Sequence, residues 1–195
     1  MGRLVSSRQV HGDTIQIIDE KALGSATECG PTLITSPADA LVTNLKNVGL
    51  MIKIADCQAV FLVDPVNQVI ANVHCGWRGS VNGLLLKVVR LLQSHYACEP
   101  QNLLAAVSPS LGPCCAEFRN YRIELPPSFW DFQTRSEYFD FWGITRWQLQ
   151  KAGLRQENIE AAEHCTVCES ERYFSYRAQG TTGRMAAVLA WSSPV

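Results

Sequence analysis

Four histidines in 195 residues, His11, His74, His95 and His164, confine any metal or acid–base chemistry to a few side chains. His11 lies in Gln9-Val10-His11-Gly12, beside a glycine that admits close approach of backbone or ligand, and its bland expectation is a turn residue. His95 ends a helical run next to Tyr96 and reads as a solvated histidine favoured by the helix dipole. Cys57 and His74 are seventeen residues apart, which is no local metal spacing. A cysteine at a strand end is by itself more often a small buried hydrophobe than a ligand. Arg78, between Gly76 and Gly79 at an expected helix start, joins a guanidinium to free backbone N–H groups and the positive helix end. That coincidence points to an anion site, against the ordinary reading of a surface arginine capping a turn. Cys165-Thr166-Val167-Cys168, preceded by His164, has the local form of half a zinc site or of a redox dithiol. A structural zinc needs a second pair, and the vicinal Cys114 and Cys115 are too close for the usual bite, although one of them could contribute. Packing or an adventitious disulfide is the expectation there.

The elements that must position these residues follow from periodicity. Apolar runs at 50–54, 59–63 and 69–73 predict short buried strands, and the turn at 64–68 makes a hairpin of the last two. That hairpin delivers His74 to a strand end, so that Cys57 and His74 share an edge. After Gly76–Gly79, the residues Leu84, Leu85, Val88, Val89, Leu91 and Leu92 recur at helical spacing, with Ser80 the expected N-cap. A strand at 103–107 runs into a Pro- and Gly-rich corner at 108–115. A helix around 144–151 is stopped by Gly153, and short strands are expected near Ile159 and within 183–191. Alternating strands and helices make the class α/β, one domain of mixed sheet with flanking helices.

Composition sets the outer limits. Seventeen basic against eighteen acidic residues give a net charge of −1, which excludes a global footprint for nucleic acid or an anionic membrane and makes any phosphate recognition local. With 47% hydrophobic and 18% charged residues, disorder and coiled coil are excluded as well. No apolar run approaches the roughly eighteen residues of a membrane span, and residues 1–12 lack a signal-peptide core. A cytoplasmic protein with reduced thiols is therefore expected.

Taken together and in order, Gln9-Val10-His11-Gly12, Ala38-Asp39-Ala40-Leu41-Val42-Thr43, Ala55-Asp56-Cys57, His74-Cys75-Gly76-Trp77-Arg78-Gly79, Leu111-Gly112-Pro113-Cys114-Cys115, Cys165-Thr166-Val167-Cys168 and Thr182-Gly183-Arg184 resemble the signature of the laccase-domain family. Its members are also called multicopper polyphenol oxidoreductases or purine nucleoside phosphorylases. The resemblance implies a zinc site made by His11, Cys57 and His74, whose open fourth position marks a catalytic metal. It implies purine nucleoside and phosphate as substrates: phosphorolysis of adenosine, inosine, guanosine or methylthioadenosine with phosphate near Arg78, and deamination of adenosine by water activated at the metal. Asp56, beside Cys57, becomes a candidate for orienting a ligand or handling a proton. A multicopper oxidase needs far more than four histidines, so copper in this site would give at most weak single-copper phenol oxidation. The fold implied is like that of cysteine hydrolases and toxin deamidases, over 1–195 as a monomer or homodimer. Relatives carry roughly fifty residues ahead of the Q-V-H-G motif, including an S-T-R-x-G-G stretch, and that segment is expected to be lacking. Gln58 and Cys75 depart from the usual motif, and Cys75 could offer a competing thiol. Two other classes stay open: a hydrolase or deamidase with Cys57 as nucleophile activated by His74 or His11, and a metal-stabilised binding module pairing through the aromatic stretch 129–147.

Overall fold

Strands whose residues are apolar on both faces must be covered on both faces, and the 50–75 region has that character. A computed structural model describes residues 2–191. The strands are β1 (Arg3–Ser7), β2 (Ile15–Ile17), β3 (Thr27–Cys29), β4 (Thr32–Thr35), β5 (Ala40–Thr43), β6 (Val48–Ile54) and β7 (Gln58–Asp64). They continue with β8 (Val69–Cys75), β9 (Leu104–Val107), β10 (Gln133–Arg135), β11 (Tyr138–Phe139), β12 (Ile159–Ala161) and β13 (Met185–Ala190). The helices are α1 (Glu20–Gly24), α2 (Trp77–Val81), α3 (Leu84–Tyr96), α4 (Tyr121–Glu124), α5 (Phe141–Lys151) and α6 (Tyr176–Gln179).

Two mixed sheets form, one in the order β13-β6-β1-β4-β3 and the other β12-β9-β7-β8-β5-β2. The period of two along β8 sends Val69, Ala71, Val73 and Cys75 to a core shared with Leu84, Leu85, Val88, Val89 and Leu92 of α3. Ile70 faces the opposite way, into a core built with Val5 of β1 and Leu50 and Ile52 of β6. The layers are thus sheet, sheet, helices. His74 keeps the parity of Ile70, so it points toward the first sheet at the end where β1 stops. In the β7–β8 hairpin Ala59 pairs with His74, and Cys57 shares the parity of Ala59. A third core of aromatic rings, Phe118, Phe129, Phe139 and Phe141, packs beneath Trp77 and Trp147.

The expected hairpin, the helix ending at Gly153 and the strands near Ile159 and in 183–191 all form. The helix after His74 differs: Ser80 is no N-cap but a buried residue inside α2, and α3 starts separately after Gly83, whose φ of 68° breaks the run. Among the described residues no helix is long and apolar enough to cross a membrane.

The hairpin turn carries a test of its own. Asp64, 1% exposed, accepts hydrogen bonds from the amides of Val66 (2.8 Å) and Asn67 (2.9 Å) and from Asn67 Nδ2 (2.9 Å). Burial pushes its carboxyl up, but these bonds outweigh burial and hold it below the ordinary 3.8. A carboxyl lowered in the folded state stabilises above its unfolded value and ceases to do so as pH falls through the folded one. Asp64→Ala should therefore cost about 1–3 kcal/mol at neutral pH, with the gap to wild type closing below about pH 4. Urea unfolding at pH 7 and pH 3 reads both, and an unchanged gap contradicts the assignment.

Candidate metal centre

The end of β8, the start of β7 and the loop after β1 meet at one place. There the ligand atoms of His11, Cys57 and His74 lie within 4.8 Å of one another. The two imidazole rings stand edge to face with centroids 4.8 Å apart. His74 is buried, Cys57 half-buried and His11 exposed, so the group opens toward solvent at His11.

Asp39, just ahead of β5, organises this arrangement. Its side chain, 0% exposed, accepts from the amides of Val10 (3.2 Å), His11 (3.0 Å) and Gly12 (2.8 Å) and lies 2.8 Å from His74 Nδ1. A carboxylate only accepts, so Nδ1 carries a proton and Nε2 is the ring nitrogen that can face a metal. One side chain thereby fixes the loop that bears His11, held at a left-handed φ of 59°, and the orientation of His74. Burial pushes the Asp39 carboxyl up, but the bonds from His74 and the amides prevail and hold it below its ordinary value. Gln9 adds a second clamp, pairing its amide with the backbone N–H and carbonyl of Lys53, each at 2.8 Å. Partial burial and the neighbouring His74 lower the His11 pKa, with Asp39 opposing. Burial pushes the Cys57 thiol up to about 12.

The donor set fits a metal. Two imidazoles and one sulfur suit zinc or copper, and a carboxylate behind a ligating histidine is the usual outer support. Backbone space is matched to it: a Cβ on Gly76 would stand 2.9 Å from Cys57 Sγ and 3.6 Å from His11 Cδ2. Gly76→Ala is accordingly expected to displace Cys57 and weaken metal binding by about tenfold or more while the chain stays folded. Competitive chelator titration checks this, and wild-type affinity in the variant contradicts it.

A cavity of about 740 Å³ opens over the three residues. Its wall carries Arg8, Lys53, Arg78, Arg177 and Arg184, and the rings of Trp77, Phe118, Phe141 and Tyr176. The Arg78 guanidinium stacks on Trp77, 4.4 Å from the ring centroid. It belongs to a helix of only five residues, so its own charge, rather than a long helix dipole, is what it brings.

Asp56 lines the cavity but turns its carboxylate elsewhere. It accepts from Thr166 Oγ1 (2.7 Å), Ser175 Oγ (2.6 Å) and the Arg177 amide (2.6 Å), which ties the segment bearing Tyr176 and Arg177 to the residue before Cys57. Cys75 packs on the helix side of β8, 3.3 Å from Ser80 Oγ, rather than joining the three donors. Gln58 is buried and bonds the Phe141 carbonyl at 3.0 Å, joining β7 to α5. Cys114, Cys115, Cys165 and Cys168, expected to pack or to form a disulfide, are free thiols that converge on one another.

Comparison with known proteins gives consistent answers. A family model described as multi-copper polyphenol oxidoreductase laccase matches residues 1–192. The purine nucleoside phosphorylase YlmD of Geobacillus stearothermophilus is 32% identical over 197 residues, covering 96% of this chain and 72% of that protein. The crystal structure of YlmD from Geobacillus stearothermophilus matches with a TM-score of 0.84 at 31% identity, over 98% of this chain and 74% of that one. The crystal structure of the Bacillus licheniformis hypothetical protein YfiH matches with a TM-score of 0.85 at 26% identity, over 97% and 74%. The α/β fold with two mixed sheets and flanking helices is theirs.

Proposed function

Because the chain belongs to the multi-copper polyphenol oxidoreductase laccase family, we propose that it catalyses zinc-dependent phosphorolysis of purine nucleosides at His11, Cys57 and His74. The observation that carries this reading is one cavity of about 740 Å³ in which that donor set meets cationic and aromatic side chains. The naming of a similar protein as a purine nucleoside phosphorylase supports it.

In phosphorolysis a phosphate oxygen bonds to ribose C1′ while the C1′–N9 bond breaks and its electron pair leaves with the base. Positive charge develops on the ribose and negative charge on the departing purine, so groups of fixed charge on either side lower the barrier. Arg78, Arg177 and Arg184 supply the cations that hold a phosphate dianion within reach of C1′. Trp77, Phe118, Phe141 and Tyr176 offer ring faces to the purine and ribose and keep water from the reacting carbon. Zinc, when bound, supplies Lewis-acid stabilisation of negative charge. Asp39 holds His11 and His74 in ligating orientation throughout. Two imidazoles converge with the Cys57 sulfur within 4.8 Å, a set that suits a three-ligand metal site better than a nucleophile served by one base, which favours Cys57 as a ligand over the cysteine-nucleophile reading.

The test is chromatography of adenosine incubated with zinc-loaded protein, with and without phosphate, beside a His11→Ala control. Adenine and ribose 1-phosphate forming only with phosphate is the expected result. Inosine forming without phosphate would assign deamination to the same site, and no product above the control removes the catalytic reading.

A further inference from the structure

Cys114, Cys115, Cys165 and Cys168 have no role in the cavity, and none of them lines it. Cys114 and Cys115 sit on a turn in which the amides of Cys115 and Ala116 close on the Gly112 carbonyl at 2.9 and 3.0 Å. Cys165 and Cys168 sit on a second turn, and the four sulfurs lie within 4.8 Å of one another. The Cys168 sulfur is 3.4 Å from that of Cys114 and 3.6 Å from that of Cys115. A disulfide requires about 2.05 Å. A tetrahedral ion with metal–sulfur bonds of about 2.3 Å sets its sulfurs about 3.8 Å apart, within a few tenths of an ångström of the two Cys168 contacts and inside the 4.8 Å that bounds all four. A further contact ties the two turns together: the buried Cys165 sulfur accepts the Gly112 amide at 3.3 Å, from the turn that carries Cys114 and Cys115.

We propose that Cys114, Cys115, Cys165 and Cys168 form a second, structural metal site that binds Zn²⁺ as a tetrathiolate, independent of the nucleoside reading of the cavity. Binding releases the thiol protons to solvent and transfers no electrons. The filled site carries a net charge of about −2, partly offset by Arg135, whose guanidinium bonds the Cys114 carbonyl at 3.0 Å. All four coordination positions come from the protein, which closes the site to substrate. The ion joins the loop after β9 to the segment 163–168, which already meet through the Ser110 amide on the His164 carbonyl (3.1 Å) and the Thr166 amide on the Ser110 carbonyl (3.0 Å). Thr166 then reaches Asp56, the anchor of Arg177. The vicinal pair escapes the sequence-level objection because it needs to supply only adjacent corners of the tetrahedron from a tight turn.

The experiment counts metal in the full chain purified under reducing conditions from zinc-replete medium. Wild type should hold about two equivalents of zinc per chain, Cys168→Ala about one, and His11→Ala about one, the last with an all-sulfur shell at about 2.3 Å in zinc X-ray absorption. Should Cys168→Ala fail to fold, Cys168→His restores a ligand and should keep about two equivalents. The wild-type absorption spectrum needs no variant and should show a shell richer in sulfur than in nitrogen. One equivalent in wild type, with a single sulfur among nitrogen ligands, overturns the proposal. So does a Cys114–Cys168 or Cys115–Cys168 disulfide in the metal-replete protein, and iron in the all-sulfur shell overturns the choice of metal. Zinc that is lost from Cys168→Ala but not from His11→Ala speaks against the cavity site instead, so the two failures are told apart.

Discussion

His74→Ala is expected to lower phosphorolysis by about 10³-fold, the scale on which removal of one preorganised electrostatic group acts. The reason lies in the pairing with Asp39: the imidazole is buried, its Nδ1 is committed to the carboxylate at 2.8 Å, and its Nε2 completes the group with His11 and Cys57. An alanine there removes a donor and leaves the Asp39 charge with one partner fewer. Phosphate-dependent release of base, measured alongside zinc content, reads the effect. A variant that binds zinc with wild-type affinity and retains more than about a tenth of the activity contradicts the role given to His74.

Asp39→Asn should reduce zinc affinity by about 10–100-fold and stability by about 1.5–3 kcal/mol, the range for hydrogen bonds to a charged group. The carboxylate accepts from three backbone amides and from His74. An asparagine has one acceptor oxygen and turns an NH₂ toward donors that cannot receive it. The split between positioning and ligation is measurable. Excess zinc should restore much of the activity of Asp39→Asn, since the donors are all present, and should not restore His74→Ala. Equal rescue of both variants, or of neither, contradicts a positioning role.

The difference between these residues in the sequence is instructive. That His74 and Cys57 share an edge is legible because a hairpin with apolar runs of equal length must bring its two ends together, and the observed pairing of Ala59 with His74 does so; their role as ligands came from the resemblance. His11 depended on the resemblance for its placement as well, since nothing local distinguishes a loop histidine from a ligand. Asp39 carries a signal of its own: a carboxylate inside the apolar stretch 38–43 cannot be buried without partners, and no partner lies nearby in sequence. Asp56 looked like a companion of Cys57, yet its φ of 85° turns the chain and its carboxylate meets a segment more than a hundred residues later. The division into two sheets was not visible, because the parallel pairing of β1 with β4 and β6 is set by long-range packing rather than by turns. Ser80 failed as a cap for a local reason, the left-handed Gly83 that ends α2 and lets α3 begin. The cysteine cluster joins turns about fifty residues apart, as the Cys114–Cys168 contact shows, a separation that spacing rules for a single zinc knuckle do not cover.

His11, Cys57 and His74 are proposed to bind the metal on which activity depends. Anomalous diffraction at the zinc edge, from crystals of zinc-loaded protein soaked with phosphate and a purine nucleoside, tests it most directly. The expected result is an anomalous peak bounded by His11, Cys57 Sγ and His74 Nε2, with nucleoside or its products in the cavity beside it. Active protein whose crystals show no peak between these three residues would contradict it.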